Sequence, residues 1–458
     1  MISSLKDFRN PFFIGVAGVG MSAIAQYLKG IGMDVSGSDR FFAPGVVNEV
    51  QQKLEAEGIR CFVQDGSGIT GAVDLIVAST AIEDNVAEIQ KAKELSIPII
   101  RRSELLALIA QSKKTIAVGG TSGKSTTSAM LFDILEYAGL QPSIISGAGL
   151  VSIIKQGKIG NAKVGAGEWL VIEADESDGS IVQYKPEIGL LLNIDKDHQE
   201  IDELMRVFGV FKTNSRNFVV NQSHPLARIL SQAVQQDFSV DPSVYAGYIA
   251  TDFNQQGLAI HFKIAGVGFR MNLVGKHNME NAMAAVTIAN GIGVPLETCA
   301  EALEKYEGIY RRHQVLGNKN GVWLIDDYAH NPVKCAAAIE ACQPVARKVI
   351  AWFQPHGYKP TKFLREDFVK EIARVLRPED EIWMSEIFYA GGTAVKDISA
   401  NDLINDLKTL GKNAFFVENR NDLLHSIRPH LTNNCVILLM AARDPSLEQF
   451  AKQTWQDL

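Results

Sequence analysis

The apolar run Thr115-Ile116-Ala117-Val118 leads into Gly119-Gly120-Thr121-Ser122-Gly123-Lys124-Ser125-Thr126-Thr127 and then a helical stretch, Ser128 to Tyr137. A strand, a glycine-bearing turn and a helix in that order confine this part of the chain to an α/β layer, with the turn at the carboxyl end of a strand. Such a turn aims successive backbone N–H groups, reinforced by the helix dipole, at phosphate oxygens. Gly123 permits close backbone approach, Lys124 supplies charge for the β- and γ-phosphates of ATP, and Ser125 offers a hydroxyl to Mg²⁺. The first glycine of the long phosphate-loop pattern G-x-x-x-x-G-K-S/T falls on Val118, so that pattern fails. The shorter G-T-x-G-K-S/T-S/T form is complete from Gly120 through Thr121, Ser122, Gly123, Lys124 and Ser125 to Thr126. A plain βα turn containing a lysine is the competing reading, and the flanking strand and helix weigh against it.

Two further strand-like runs end in polar clusters. Trp169 to Ile172 ends in Glu173-Ala174-Asp175-Glu176-Ser177-Asp178, and Ile188 to Leu192 ends in Asn193-Ile194-Asp195-Lys196-Asp197-His198. Taken singly, an acidic turn is usually a solvated surface and a lone histidine is usually structural. Following a phosphate loop, carboxylates and an imidazole at neighbouring strand ends predict a divalent-cation site beside a triphosphate.

At 458 residues the chain is too long for one ordinary core. Three segments alternate apolar runs with helical patterns, predicting three α/β domains: 1–110, 111–312 and 313–458. Strands are expected at Phe12 to Val16, Asp34 to Ser38, Leu75 to Ser79 and Ile97 to Ile100 in the first, with a helix from Met21 to Lys29. The third should contain strands at Val322 to Asp326, Lys348 to Phe353, Glu381 to Met384 and Cys435 to Met440. Gln111 to Lys114 reads as a polar linker and, with Tyr310 to Gly317, as a hinge. Hydrophobic residues make up 46% and charged residues 21%, a soluble composition, and no apolar run reaches the roughly 18 residues of a membrane helix. A net charge of −7 without a basic run argues against nucleic acid. The five cysteines show no C-x-x-C or zinc spacing, and the first residues lack the form of a signal peptide. The expectation is a cytoplasmic protein, monomeric or homodimeric, with neither a nucleic-acid nor a membrane partner.

These elements, in this order, resemble the Mur ligase family, and the resemblance covers nearly the whole chain. Gly15-Val16-Ala17-Gly18-Val19-Gly20-Met21-Ser22 is similar to that family's uridine-nucleotide loop, and Gly37-Ser38-Asp39, Ser79-Thr80-Ala81-Ile82 and Arg101-Arg102-Ser103-Glu104-Leu105 resemble the same domain. Gly275-Lys276-His277-Asn278-Met279-Glu280-Asn281-Ala282 matches G-x-H-N-x-x-N-A, Tyr310-Arg311-Arg312 resembles the hinge, and Asp326-Asp327-Tyr328-Ala329-His330-Asn331-Pro332 matches D-Y-A-H-N/H-P. Phe353-Gln354-Pro355-His356 looks like the alanine-adding subfamily. The resemblance implies a Rossmann-like N-terminal domain, a central phosphate-loop ATPase domain with a mainly parallel sheet, and a Rossmann-like C-terminal domain binding the amine. It implies ATP-dependent ligation of L-alanine, or of an alanyl peptide, to UDP-N-acetylmuramate through an acyl phosphate. Asn278 and Asn281 would contact the ATP base, Arg312 a phosphate and Asp327 the ribose. Lys124, Glu173 and His198 would be catalytic, with Ser125, Glu173 and His198 as metal ligands. Gly18, Gly20, Met21, Ser22, Asp39, Ser79 and Arg102 would hold the UDP-sugar, and His356 and Tyr358 the amine.

The sequence departs from the subfamily pattern at four places. Ser122 replaces a histidine, Gly357 and Pro360 stand where arginines are usual, Ala390-Gly391-Gly392 replaces A-G-E, and Ala441-Ala442-Arg443-Asp444 replaces G-A-G-D. Lys212, nearest the place of the carbamylated lysine of other subfamilies, reads as a surface residue. Three rivals remain open at this stage: a peptide-adding ligase of wall recycling, an NAD-dependent dehydrogenase using the Gly18/Gly20 loop, and an inactive binding module.

Overall fold

The computed structural model describes residues 2–79, 82–177, 179–196, 200–389 and 395–458. The first sheet takes the strand order Arg60–Val63, Ser36–Asp39, Pro11–Ile14, Leu75–Ala78, Ile99–Arg101, all pairs parallel. This is the order of an open, doubly wound dinucleotide-binding sheet, with its reversal between Pro11–Ile14 and Leu75–Ala78. Phe12, Phe13 and Ile14 are fully buried, which explains why that strand reads as a continuous apolar run rather than an alternating one.

The second sheet runs Asn217–Val220, Ile188–Leu191, Lys114–Gly119, Trp169–Glu173, Ser143–Ile145, Ala162–Lys163, and only the last pair is antiparallel. The helix Ile201–Asn214 buries Leu204, Val207, Phe208 and Phe211, spaced for one face. Lys212 on that helix is half-buried and donates to the Ser231 carbonyl at 3.3 Å. The third sheet runs Gln314–Lys319, Val322–Asp327, Cys435–Ala441, Lys348–Gln354, Glu381–Met384, Ala414–Phe416, with an antiparallel first pair and parallel pairing thereafter.

The chain forms two compact units. The first comprises Met1–Thr251, Lys263–Phe269 and Glu280–Ile309, and the second Asp252–Phe262, Arg270–Met279 and Tyr310–Leu458. The first two sheets therefore share one unit. The polar stretch expected to be a hinge is a short turn inside it, between the helix Arg102–Ala110 and the strand Lys114–Gly119. It is tied down at both ends: Thr115 Oγ1 donates to the Ala110 carbonyl at 2.7 Å, and Lys113 Nζ to the Gly167 carbonyl at 2.7 Å. Among the described residues no helix is long and apolar enough to cross a membrane.

Most expected strands are present within one or two residues at each end. The strands passed over include Arg60–Val63 and Gln314–Lys319, which bury no residue fully and so carry no apolar signature. They also include Tyr248–Gln256, Ala259–Ile264 and Val267–Met271 of a further four-stranded sheet, which mix buried and exposed residues rather than forming apolar runs. One departure from the family pattern has a direct backbone consequence. Arg443, where the resemblance has glycine, adopts φ 64° with an exposed side chain. A left-handed non-glycine residue costs about 1–2 kcal/mol, partly offset by glycine's greater entropy in the unfolded chain. Arg443→Gly is therefore expected to stabilise the second unit by up to ~1 kcal/mol, read as a rise in the urea midpoint; a fall would show that the arginine side chain contributes more than its backbone costs.

Candidate active site

The phosphate loop begins where Lys114–Gly119 leaves mid-sheet. Gly120 adopts φ 138° and Gly123 φ 85°, both in the region that favours glycine. A Cβ on Gly123 would stand 2.3 Å from Asn281 Oδ1, so a side chain there would displace Asn281. The loop is strapped to the next strand end by Asn193, whose Oδ1 accepts from Ser122 N at 2.8 Å and from Thr121 Oγ1 at 2.9 Å. Thr121 Oγ1 in turn accepts from Asp195 N at 3.0 Å. Strapping takes up the Ser122 amide and leaves the anion cradle to the helix that starts at Lys124. The first intrahelical bond runs from Thr127 N to Gly123 O at 2.9 Å, so the amides of Lys124, Ser125 and Thr126 precede it. Asn281 accepts from Thr127 Oγ1 at 3.2 Å, which puts it against this helix.

Lys124 Nζ donates to the Gly120 carbonyl and to Glu176 Oε2, both at 2.7 Å, and lies 3.8 Å from Asp175. Burial works against the ammonium, but Glu176, Asp175 and Glu173 outweigh it, and its pKa stands above the ordinary lysine value. Glu173 ends the adjacent strand. Its Oε2 accepts from Ser125 Oγ at 2.9 Å; its Oε1 accepts from Ser146 Oγ at 2.7 Å and Gly147 N at 2.6 Å. A hydroxyl and a carboxylate oxygen in contact beside the amide cradle form a donor set suited to a hard divalent cation. His198, with Asp197 and Asp178, lies outside the described residues. His224 was not anticipated and pairs with Asp195 at 3.2 Å. Asn193, Glu176 and Ser146 were likewise not assigned, since the first two sat inside runs read as acidic clusters and Ser146 carried no motif.

In the first sheet the loop after Ile14 lies at the order reversal, as does Ser79 after Ala78. Thr80 and Ala81 lie outside the described residues. Asp39 is buried and spends both oxygens on the chain, accepting from Ala17 N and Phe41 N at 3.0 Å each. Gly15 and Val16 donate to the Ser38 carbonyl. Helix Val19–Gly30 makes its first bond from Ser22 N to Gly18 O at 2.8 Å, so the amides of Val19, Gly20 and Met21 precede it. The Arg102 side chain lies across this turn, with Nη1 3.1 Å from where a Gly20 Cβ would stand. Met21 and Ser22 are turned inward: Met21 joins the core, and Ser22, 1% exposed, accepts from Asn161 Nδ2 at 2.9 Å. Their side chains position the helix and do not line its open end.

In the second unit, Asn278 is buried and donates to the Val274 carbonyl at 2.7 Å. Arg311 and His313 both adopt left-handed backbones, φ 56° and 47°. Each is fastened by one of two consecutive aspartates, Arg311 Nε to Asp326 at 2.9 Å and His313 Nδ1 to Asp327 at 2.9 Å. Despite its burial, Asp327 is held well below the usual carboxylate range by His313; its other oxygen accepts from Ala329 N at 2.7 Å. Burial and His313 push His277 down to about 3. With both neighbours tied inward, Arg312 remains half-buried over the Tyr328 ring, 4.6 Å from its centroid.

His356 lies beside His330 with the rings tilted, centroids 5.6 Å apart, and Tyr358 meets Tyr389 edge-on at 5.4 Å. Gly357 adopts φ 73°, and a Cβ there would meet Pro360 Cδ at 3.3 Å. The two arginines are thus replaced by a different local backbone, and restoring them would alter conformation as well as charge. Near this turn a cavity of about 510 Å³ is lined by Gln354, Phe388, Tyr389, Arg420 and Asp444 among others. Arg420 bonds to Asp444 and to Gln354 Oε1. Ala390-Gly391-Gly392 lies outside the described residues.

Three family models match in succession: "Mur ligase family, catalytic domain" over 12–114, "Mur ligase middle domain" over 118–289, and "Mur ligase, glutamate ligase domain" over 311–443. The UDP-N-acetylmuramate–L-alanine ligase of Carboxydothermus hydrogenoformans is 35% identical over 445 residues, covering 94% of this chain and 93% of that one. That of Pelotomaculum thermopropionicum is 33% identical, covering 95% of each. The crystal structure of the UDP-N-acetylmuramate-alanine ligase of Thermotoga maritima superposes with a TM-score of 0.79 at 25% identity, over 98% of each chain. A murein peptide ligase from Psychrobacter arcticus shares the fold, at 20% identity and a TM-score of 0.67 over 98% of each chain. A three-domain α/β chain with an intact phosphate loop, matched along nearly its whole length in this way, belongs to the Mur ligase family.

Proposed function

We propose that this chain joins L-alanine to the carboxylate of UDP-N-acetylmuramate, converting ATP to ADP and phosphate, in the cytoplasmic synthesis of peptidoglycan precursor. The near-full-length likeness to ligases so named is the observation that carries the reading. It is supported by the half-buried Lys124 and Glu173 beside one amide cradle.

A carboxylate is a poor electrophile, so its oxygen first attacks the γ-phosphorus, releasing ADP and leaving an acyl phosphate. The alanine nitrogen then attacks the acyl carbon, loses a proton, and the tetrahedral intermediate expels phosphate to leave the amide. The protein's part is positioning and charge neutralisation. Lys124 exchanges Glu176 for the β- and γ-phosphates, and the amides of Lys124, Ser125 and Thr126 hold phosphate oxygens. Ser125 and Glu173 would hold Mg²⁺, which neutralises charge on those oxygens, with His198 as a further expected ligand. Asn281 packs beside the loop to meet the nucleotide. By the family resemblance Asn278 serves the base, Arg312 a phosphate and Asp327 the ribose. The amides of Val19, Gly20 and Met21, with Arg102, hold the UDP diphosphate. His356 and Tyr358 face the amine.

Lys124→Ala is expected to lower phosphate release by roughly two orders of magnitude or more in a protein that still folds, because it removes a charge aimed at the transferring phosphoryl group. A folded variant with near-normal turnover would overturn the phosphate-loop assignment. With UDP-N-acetylmuramate and ATP, phosphate release should require L-alanine. Release with L-alanyl peptides but not with alanine would move the chain to the peptide-adding branch, a result that the altered turn at Gly357 and Pro360 makes worth testing directly.

A further inference from the structure

The two nucleotide-bearing helices of the first unit are joined by an unbroken run of hydrogen bonds. It starts at the helix that opens the proposed UDP-sugar site, where Asn161 Nδ2 donates to the Val19 carbonyl at 2.8 Å and to Ser22 Oγ at 2.9 Å. Asn161 Oδ1 accepts from Gln26 Nε2 at 2.7 Å, so three residues on successive turns of that helix converge on one side chain. The Asn161 carbonyl accepts from Ser146 N at 2.9 Å. Ser146 Oγ donates to Glu173 Oε1 at 2.7 Å, and Glu173 Oε2 accepts from Ser125 Oγ at 2.9 Å, on the first turn of the phosphate-loop helix.

Five of the linking residues are at least nine-tenths buried: Asn161 1%, Ser22 1%, Ser146 2%, Gln26 4% and Ser125 9% exposed; Glu173 is half-buried, and Val19, which contributes only its carbonyl, is exposed. Among the described residues the buried Gln26 Oε1 has no hydrogen-bond partner, so this asparagine-centred knot includes one unmet acceptor. Buried bonds of this kind have few alternative geometries, since moving one member leaves its neighbours unsatisfied. A shift of the helix Val19–Gly30 when a diphosphate settles on its first amides would therefore be felt at the Glu173 carboxylate. Nothing in the substrate contacts requires Asn161, which reaches neither amide cradle.

We propose that Asn161 is a positioning residue that couples the two sites, so that UDP-sugar binding orients Glu173 and Ser125 for ATP. This rests on the functional reading above. Coupling between sites is reciprocal and measured as a ratio of affinities, commonly 5- to 150-fold.

The test is a binding cycle by calorimetry: a non-hydrolysable ATP analogue with Mg²⁺, with and without UDP-N-acetylmuramate, in the unaltered protein and in Asn161→Ala. The expected result is analogue affinity raised about 5-fold or more by the UDP-sugar in the unaltered protein. In Asn161→Ala the ratio should fall to near one, while each ligand alone binds within about 3-fold of normal. A merely structural role would weaken both ligands and leave the ratio in place, which would overturn the coupling, as would a ratio of one in the unaltered protein. Should Asn161→Ala fail to fold, Ser146→Ala cuts the same run one link further on and must also bring the ratio to near one. Failure of the unaltered protein to bind the UDP-sugar at all would instead overturn the functional reading, and the coupling with it.

Discussion

The candidate ATP site depends on one placement: the strand Lys114–Gly119 lies in mid-sheet, parallel to both neighbours. A strand buried on both faces has no room for polar side chains along its length, so the polar residues gather where the strands end. Ile188–Leu191 delivers Asn193, which straps Thr121 and Ser122; Trp169–Glu173 delivers Glu173, which meets Ser125. The loop between them then has only one task left, turning sharply enough to start a helix with its amides exposed. Gly120 and Gly123 make that turn, and Asn281 fills the space that a side chain at Gly123 would need.

This placement was legible in the sequence because parallel strands announce themselves as short, unbroken apolar runs. The strand–loop–helix at Gly120 to Thr126 and the two polar strand ends could be put side by side before any coordinates. The edge strands could not, since Arg60–Val63 and Gln314–Lys319 are half wet and alternate with nothing. Nor could the division into two units. The polar stretch around Gln111–Lys114 has the composition of a linker, yet Lys113 and Thr115 anchor it by contacts from residues 5 to 54 positions away in the chain.

Site residues were harder to read than the fold, for a physical reason. A residue that shapes a ligand loop and one that touches the ligand obey the same local pattern. Asp39 fastens the Ala17 and Phe41 amides, Ser22 faces Asn161, and Asp327 holds the left-handed His313. All three fell within motifs that suggested ligand contact, and all three also bond to the chain itself. Conversely, Asn193, Ser146 and Asn161 make the bonds that fix the loops, and only their distant partners reveal it. Backbone conformation was invisible in the same way: Arg443 and Gly357 read as changes of charge, while the structure shows them as changes of φ.

The same partnerships explain how a buried cationic site stays folded before any nucleotide arrives. Lys124 is only 16% exposed, and an ammonium so far from water needs an anion or it destabilises the charged form. Glu176, 8% exposed, supplies it, and the Gly120 carbonyl takes a second proton of the same ammonium. A triphosphate can replace Glu176 as counter-charge without moving the loop. Ser125 and Glu173 likewise satisfy one another with a proton. Ligand binding at such a site exchanges one set of satisfied charges for another, so the backbone of the phosphate loop is held by the sheet and by Asn193 rather than made by the triphosphate. That arrangement suits a reaction in which the protein supplies position and charge, since donors already in place need little reorganisation as phosphoryl transfer proceeds.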